Sequence, residues 1–251
     1  MPTIALLSDI HGNLDALEAV LAHLQETAPH AARYHLGDLV GYSAEPDAVV
    51  ARLEAEGIAG VAGNYDSTVA HGYKHCGCRS ENAQQEALAH ESFAWTLAHT
   101  SEATKARLAA LPFRLDIRPL GGHVAGPRVV LLHAHSSSNL IYVTADRPDD
   151  FLRKMGDGVG ATAGDLIAFG HTHKPWHRVV DGVHYVNTGS VGRPKDGDAR
   201  AGYVRVEVRD DAALEVQIVR VPYDVERAAQ KVLAAGLPLA FAAFLRSGGA
   251  S

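Results

Sequence analysis

A layered α/β fold is what this chain predicts, on three observations. Short apolar runs of β type alternate with helical patterns at close intervals along the chain. Five of those runs end in clusters of Gly, Asp, Asn and His, as strand ends do when they carry function. The length of 251 residues with 47% hydrophobic content is enough to bury a full core, and one domain spanning 1–251 can do so.

Each element follows in order. Thr3–Ser8 reads as a strand that delivers Asp9-Ile10-His11. Asn13 is a candidate N-cap for a helix through about Glu26, with Leu14, Leu17, Leu21 and Leu24 on one stripe. The positive end of that helix would face the edge carrying His11, a favourable place for an anion. Tyr34–Leu36 leads to Gly37-Asp38, and a helix from about Glu45 to Glu56, closed by Gly57, precedes the strand Ile58–Ala62 and then Gly63-Asn64. From about 67 to 118 the pattern changes to a polar loop and helical stretches around Ala83–His99 and Ser101–Leu111, which reads as an insertion packed beside the site. Strands resume at Arg128–Leu132 before His133, then at Leu166–Phe169, Val183–Asn187, Tyr203–Val208 and Leu214–Val221, with Asp181-Gly182 as a turn signal. The end, 247–251, is expected to fray.

Composition excludes several classes of function. A net charge of −6 and a pI near 6.2 leave no broad cationic face for duplex nucleic acid, so any affinity for phosphate must be local. No stretch approaches the ~20 apolar residues of a membrane span, and the first residues lack the basic region of a secretory leader. Two cysteines one residue apart, Cys76 and Cys78, supply no disulfide framework, and the expected setting is a reducing cytoplasm. Oligomeric state has no signature in the sequence.

A lone Asp-x-His is weak, since a strand-end Asp is commonly a cap or turn former, and His-x-His alone is little better. The set is stronger: Asp9, His11, Asp38, Asn64, His133, His171 and His173 supply seven donors at five strand ends, mostly beside glycines. Carboxylate, amide and imidazole without thiolate suit two transition-metal ions, with Mn the first choice and Fe, Zn, Co or Ni fitting the same donors. Asp38 is the natural bridge between ions ~3.5–4 Å apart.

In the order Asp9-Ile10-His11, Gly37-Asp38-Leu39-Val40-Gly41, Gly63-Asn64-Tyr65-Asp66, His133 and Gly170-His171-Thr172-His173, the chain resembles the calcineurin-like metallophosphoesterases, and within them the small bacterial phosphodiesterases. Asn187-Thr188-Gly189-Ser190-Val191-Gly192 and Arg220-Val221-Pro222-Tyr223-Asp224 extend the likeness almost from end to end. The resemblance implies a four-layer α-β-β-α sandwich of two mixed sheets flanked by helices, and hydrolysis of a phosphoester by hydroxide bridging two metals. It implies that Asp9, His11, Asp38 and His173 hold one ion, and that Asp38, Asn64, His133 and His171 hold the other. His133 fits the ligand position better than His135, because it ends the run Val129–Leu132.

One position departs from the family. Tyr65 stands where many relatives carry a His that protonates the leaving group, and a phenol of pKa about 10 is a poor donor at neutral pH. Substrates with weakly basic leaving groups are therefore favoured: a small nucleotide-like phosphodiester or phosphoanhydride, hydrolysed with Asp38 and Asn64 at the reacting phosphate. His135, two residues past His133, is a substitute donor if strand alternation keeps both on one face. Asp66 either orients a neighbouring ligand or caps a helix. Arg193 and Lys195 are candidates for substrate phosphate, against a reading as exposed turn charges. The stretch His71 to Cys78 is either a loop covering the active edge, a surface turn or a zinc site, the last short of ligands. Alternatives to the diesterase are a phosphomonoesterase or protein phosphatase, and, outside enzymes, a binding scaffold on the same fold.

Overall fold

A computed structural model describes residues 2–78, 82–118, 127–210 and 213–249. Two five-stranded mixed sheets lie face to face, with helices over their outer surfaces. The chain begins with β1 (Thr3–Leu7), α1 (Leu14–Thr27), β2 (Ala32–His35), α2 (Pro46–Ala55), β3 (Ala59–Gly60) and α3 (Asn64–Ala70). It continues with α4 (Ala83–His99), α5 (Glu102–Ala109), β4 (Arg114–Ile117), β5 (Val129–Leu132), α6 (Asp149–Asp157) and β6 (Leu166–Phe169). It ends with β7 (Trp176–Val180), β8 (Val183–Asn187), β9 (Ala201–Val208), β10 (Leu214–Val221), α7 (Val225–Ala234) and α8 (Leu239–Ser247). The first sheet runs β10-β9-β1-β2-β3 and the second β4-β5-β6-β8-β7.

The period of two within each strand builds the layers. Ile4 and Leu6 of β1 meet Val129 and Leu131 of β5 and Leu166 and Ala168 of β6 between the sheets. Their neighbours Ala5 and Leu7 turn outward to Leu17, Val20, Leu21 and Leu24 of α1, while Val130, Leu132, Ile167 and Phe169 turn outward to Leu152 and Met155 of α6. Strands buried on both faces need apolar residues at every position, which is why Val129–Leu132 and Leu166–Phe169 are buried throughout. The expected four-layer sandwich is therefore what the chain forms.

Asn13 caps α1 as expected, its Oδ1 accepting from the Ala16 N–H at 3.1 Å. The Asp181-Gly182 turn joins β7 to β8 with both residues at positive φ, 50° and 80°. The stretch from 67 to 118 does hold two helices, α4 and α5, but it ends in β4, which pairs antiparallel with β5 at the edge of the second sheet. The expected strand Ile58–Ala62 contracts to Ala59–Gly60, because Ala62 leaves β2 to donate to the Pro112 carbonyl. Of the terminal 247–251, residues 250 and 251 lie outside the described residues, and Ser247 closes α8. Among the described residues no helix is long and apolar enough to cross a membrane.

Candidate metal centre

The parallel pairing of β1 with β2, and of β5 with β6 and β8, points several strand C-termini of both sheets to one edge. The loops there are laced together: Asp9 N–H donates to Gly37 O, His11 N–H to Asp38 O and Gly170 N–H to His133 O. Positive φ is uncommon for residues with a Cβ and costs of order 1–2 kcal/mol. Among the described residues seven non-glycines adopt it, and five of these are the predicted ligands Asp9, His11, Asp38, His171 and His173. Backbone strain is thus concentrated where the chain must aim donors at one point. Close approach does the rest. A Cβ on Gly170 would fall 2.2 Å from Asp9 Oδ2, and one on Gly63 would fall 2.0 Å from Asp38 Oδ1.

The buried donors form two triads, Asp9 with His11 and His173, and Asp38 with His133 and His171. Asp38 Oδ2 lies 3.7 Å from His11 Nε2 and 3.5 Å from His133 Nε2, so this carboxylate faces both triads. Asn64 joins the second, its Oδ1 3.0 Å from His133 Nε2.

The histidine tautomers test whether cations fit. His11 Nδ1 meets the Val40 carbonyl at 3.0 Å, His133 Nδ1 meets that of Leu36 at 2.8 Å, and His173 Nδ1 meets that of Arg193 at 2.5 Å. A carbonyl only accepts, so each Nδ1 carries the proton and each neutral ring turns a lone pair inward from Nε2. His11 Nε2 and His173 Nε2 then face each other at 3.2 Å, and His133 Nε2 faces the Asn64 oxygen. Opposed lone pairs repel unless a cation lies among them. Asp9 Oδ1 is buried and accepts no hydrogen bond among the described residues, although it stands 3.1 Å from His173 Nε2. Acceptors crowded around absent positive charge are what a metal site presents, and the backbone carbonyls behind the rings fix their tautomers.

The charges agree. Burial pushes the Asp38 carboxyl up to about 8, with the carboxylates of Asp9 and Asp66 adding to it and His133 opposing. For Asp9 burial also acts upward, but His173, His133 and His11 together outweigh it and hold the group well below the carboxylate range. Burial is the first cause that lowers His11, His171 and His173, the last to about 4. At His133 burial also acts downward, but the carboxylates of Asp38 and Asp9 outweigh it and raise the ring above its ordinary value, so a bound cation there would take the place of that proton.

Supporting residues hold these donors. Ser8 Oγ donates to Asp9 Oδ2 at 2.5 Å, the His171 N–H donates to the same oxygen at 3.0 Å, and Ser190 Oγ donates to the Asp9 carbonyl at 2.6 Å. Asn187 Nδ2 donates to Gly170 O and Thr172 Oγ1, pinning the turn that carries His171 and His173. Asp66 is not the N-cap of α3, a place Gly63 takes; from the third position of the helix its Oδ2 accepts from the Gly63 N–H at 3.0 Å, and its Oδ1 accepts from the Leu39 N–H at 2.8 Å in the loop after Asp38.

The remaining predicted residues scatter. Tyr65 is fully buried, its hydroxyl 3.1 Å from Ser92 Oγ and its ring against Tyr42, Phe93 and His11. Burial raises its pKa well above 10, away from proton donation. The alternation that would keep His135 beside His133 does not hold, because β5 stops at Leu132 and residues 135–138 close a turn through reciprocal backbone bonds. The His135 ring packs on Phe151 of α6, 5.2 Å between centroids.

Arg193 is not an exposed turn charge. It is 8% exposed, its guanidinium stacked 4.0 Å from the Tyr42 ring and 3.7 Å from that of Phe244. Lys195 is half-buried, and burial and Arg193 push its amine down to about 7 against the opposing pull of Asp9 and Asp38. Both cations lie close enough to the donor histidines to help hold them neutral, Arg193 lowering His11 and His173 and Lys195 lowering His171 and His173. Sequence reasoning misses Tyr42, Phe244 and Tyr142, whose ring lies 4.3 Å from that of His171. Tyr42 offers one signal, lying in the Gly41-Tyr42 segment right after the Asp38 motif, whereas Phe244 and Tyr142 have none.

The cysteine stretch also differs from expectation. Cys76 and Cys78 form a disulfide, so the thiolates a zinc site would need are not available, and His71 turns back to the Ser67 carbonyl at 2.7 Å. The loop lies against the metal edge through Asn64, whose Nδ2 donates to the Cys76 carbonyl at 3.0 Å.

Comparison with known proteins agrees with this architecture. The chain is 29% identical over 252 residues to an uncharacterized protein of Methanocaldococcus jannaschii, covering 94% of this chain and 93% of that one. A metallophosphoesterase from Sphaerobacter thermophilus superposes with a TM-score of 0.74 at 25% identity, over 98% of each chain. A hypothetical protein from Pyrococcus horikoshii OT3 shares the fold over 100% of both chains, with a TM-score of 0.82 at 19% identity. The family model of the calcineurin-like phosphoesterase superfamily domain matches residues 3–211, over the stretch that carries every candidate donor described above, and the chain belongs to that superfamily.

Proposed function

We propose that the chain is a dinuclear metal-dependent phosphodiesterase acting on a small nucleotide-like phosphodiester or phosphoanhydride, with Mn²⁺ the ion of choice. One observation carries the reading: Asp38 Oδ2 faces both donor triads, so a single carboxylate can tie two ions together. Asp9, His11, Asp38 and His173 would hold one ion, and Asp38, Asn64, His133 and His171 the other. Ions so held supply Lewis acidity toward phosphate oxygens and an activated water at neutral pH.

The chain's own residues do the rest. Stacking against the Tyr42 and Phe244 rings holds the Arg193 guanidinium in place and leaves its N–H groups to grip a phosphate in bidentate fashion. Lys195 adds a second charge beside Asp9 and Asp38. Asn64 aims its oxygen at the reacting edge because its amide nitrogen is tied to the Cys76 carbonyl. Neither Tyr65 nor His135 is placed to protonate a leaving group, which supports substrates whose leaving group departs unprotonated.

Hydrolysis of bis-p-nitrophenyl and mono-p-nitrophenyl phosphate at matched Mn²⁺ loading tests this. The diester is expected to turn over at least ~10-fold faster by kcat/KM. A preference for the monoester would assign a phosphomonoesterase, and no turnover of either with metal bound would favour a scaffold.

A further inference from the structure

The disulfide lies where it can act on the metal centre, and it does little else. It joins residues two apart, with 5.3 Å between Cα atoms, so the loop it closes is too short to restrict the unfolded chain appreciably. A global staple is therefore excluded. Both halves of the bridge touch Asn64: its Nδ2 donates to the Cys76 carbonyl at 3.0 Å and to Cys78 Sγ at 3.4 Å. The Asn64 oxygen, at the other end of the amide, faces His133 Nε2 at 3.0 Å. An amide turned by 180° would present its NH₂ to the metal edge, and a cation cannot bind there. The bridge and its backbone thus set which end of Asn64 ligates.

The bridge is also reachable. A cavity of about 270 Å³ opens over it, lined by His75, Cys76, Gly77, Cys78, Glu86 and His90. Cys76 is buried, but Cys78 is half-buried and the rim residues His75, Glu86 and His90 are exposed, so a small thiol reaches the bridge from the Cys78 side without unfolding the core.

We propose that Cys76–Cys78 is a thiol–disulfide exchange site for small dithiols, and that its redox state sets affinity for the ion held by Asp38, Asn64, His133 and His171. The proposal rests on the dinuclear reading of the centre. In the exchange, a thiolate of the dithiol attacks one bridge sulfur and the Cys76–Cys78 bond breaks. The dithiol's second thiol then displaces the mixed disulfide, so the dithiol leaves oxidised and its two electrons and two protons remain as the Cys76 and Cys78 thiols. Once unbonded, the sulfurs separate to van der Waals contact, shifting the Cys76 carbonyl and Cys78 Sγ away from the Asn64 amide.

The test compares the native chain, oxidised and after reduction with dithiothreitol followed by anaerobic desalting, by thiol titration and by Mn²⁺ binding calorimetry. Reduction is expected to reveal two thiols per chain and to weaken one of two Mn²⁺ sites by about 10–100-fold, the range for loss of an orienting partner. The other site should keep its affinity. The Cys76→Ser/Cys78→Ser double variant should bind like the reduced chain in both conditions. Unchanged thiol titre, or two sites of equal affinity in both states, overturns the proposal while leaving the dinuclear reading intact. Failure to bind two ions in either state overturns the dinuclear reading and the proposal with it.

Discussion

Asp38 is the residue on which the proposed centre turns, because one of its oxygens faces both triads while the other accepts from the Tyr65 N–H at 2.9 Å. Asp38→Ala is expected to lower kcat/KM by at least ~10³-fold, about 4 kcal/mol of transition-state stabilisation, with loss of bound metal and an unchanged far-ultraviolet spectrum. Retention of two ions with full turnover would remove the bridge from the mechanism. Gly170 tests the same geometry from the backbone. The methyl of Gly170→Ala would lie 2.2 Å from Asp9 Oδ2, so Asp9 must move and the ion shared with His11 and His173 should bind about 10–100-fold more weakly. Metal titration of the variant reads this directly.

At the scale of elements, one turn and one helix place the two candidate proton donors. The turn after β5 carries His135 onto α6, and α3 buries Tyr65 beneath His11. On the proposed reading, phosphodiesters of acidic phenols should therefore be cleaved far faster than those of simple alcohols, since neither residue is placed to supply the ~10²–10⁴-fold of general acid catalysis. Neither His135→Ala nor Tyr65→Phe should alter the slope of rate against leaving-group pKa. A slope that steepens in His135→Ala would show that this turn moves in the enzyme–substrate complex. Elements were legible in proportion to their burial. The runs that became β1, β5 and β6 are apolar at nearly every position, and α1 announces itself by its leucine stripe and Asn13 cap. β4 and β7, as Arg114–Ile117 and Trp176–Val180, are edge strands; β4 shows no clear alternation, and β7 alternates in burial while placing Arg178 on the more buried face and Val179 on the exposed one, so the sequence is quiet there.

For the whole molecule, ions held at the candidate metal centre would also clamp the two sheets together. Asp9, His11 and Asp38 come from the edge of the first sheet, and His133, His171 and His173 from the edge of the second. Ions that bind only the folded chain stabilise it by about 2.7 kcal/mol per site at a concentration 100 times Kd. Exhaustive chelation, which removes both ions, should lower Tm by about 10–20 °C, and Mn²⁺ should restore both Tm and activity better than Mg²⁺. Acid should act separately on the metal-free chain through His35, whose pKa burial lowers to about 4. Unfolded, the ring titrates near 6.5, so its contribution is complete above that pH and is lost as pH falls toward 4, by up to about 3 kcal/mol. His35→Gln should flatten that part of the stability curve, as denaturant titrations of the metal-free chains at pH 7 and pH 4 can measure.

The sequence by itself determined the strand ends and the donor types placed on them. Apolar runs that stop at Asp9, Asp38, Asn64, His133 and His171 are local facts, set by burial on one side of a boundary and ligand chemistry on the other. Tertiary structure alone decided which donors face which ion, because residues 162 apart, such as His11 and His173, meet only when two sheets close on each other. It also decided that Arg193 lies stacked between Tyr42 and Phe244, and that the Cys76–Cys78 bridge meets Asn64. No spacing rule reaches such contacts, since they are fixed by how layers pack and not by any period along the chain.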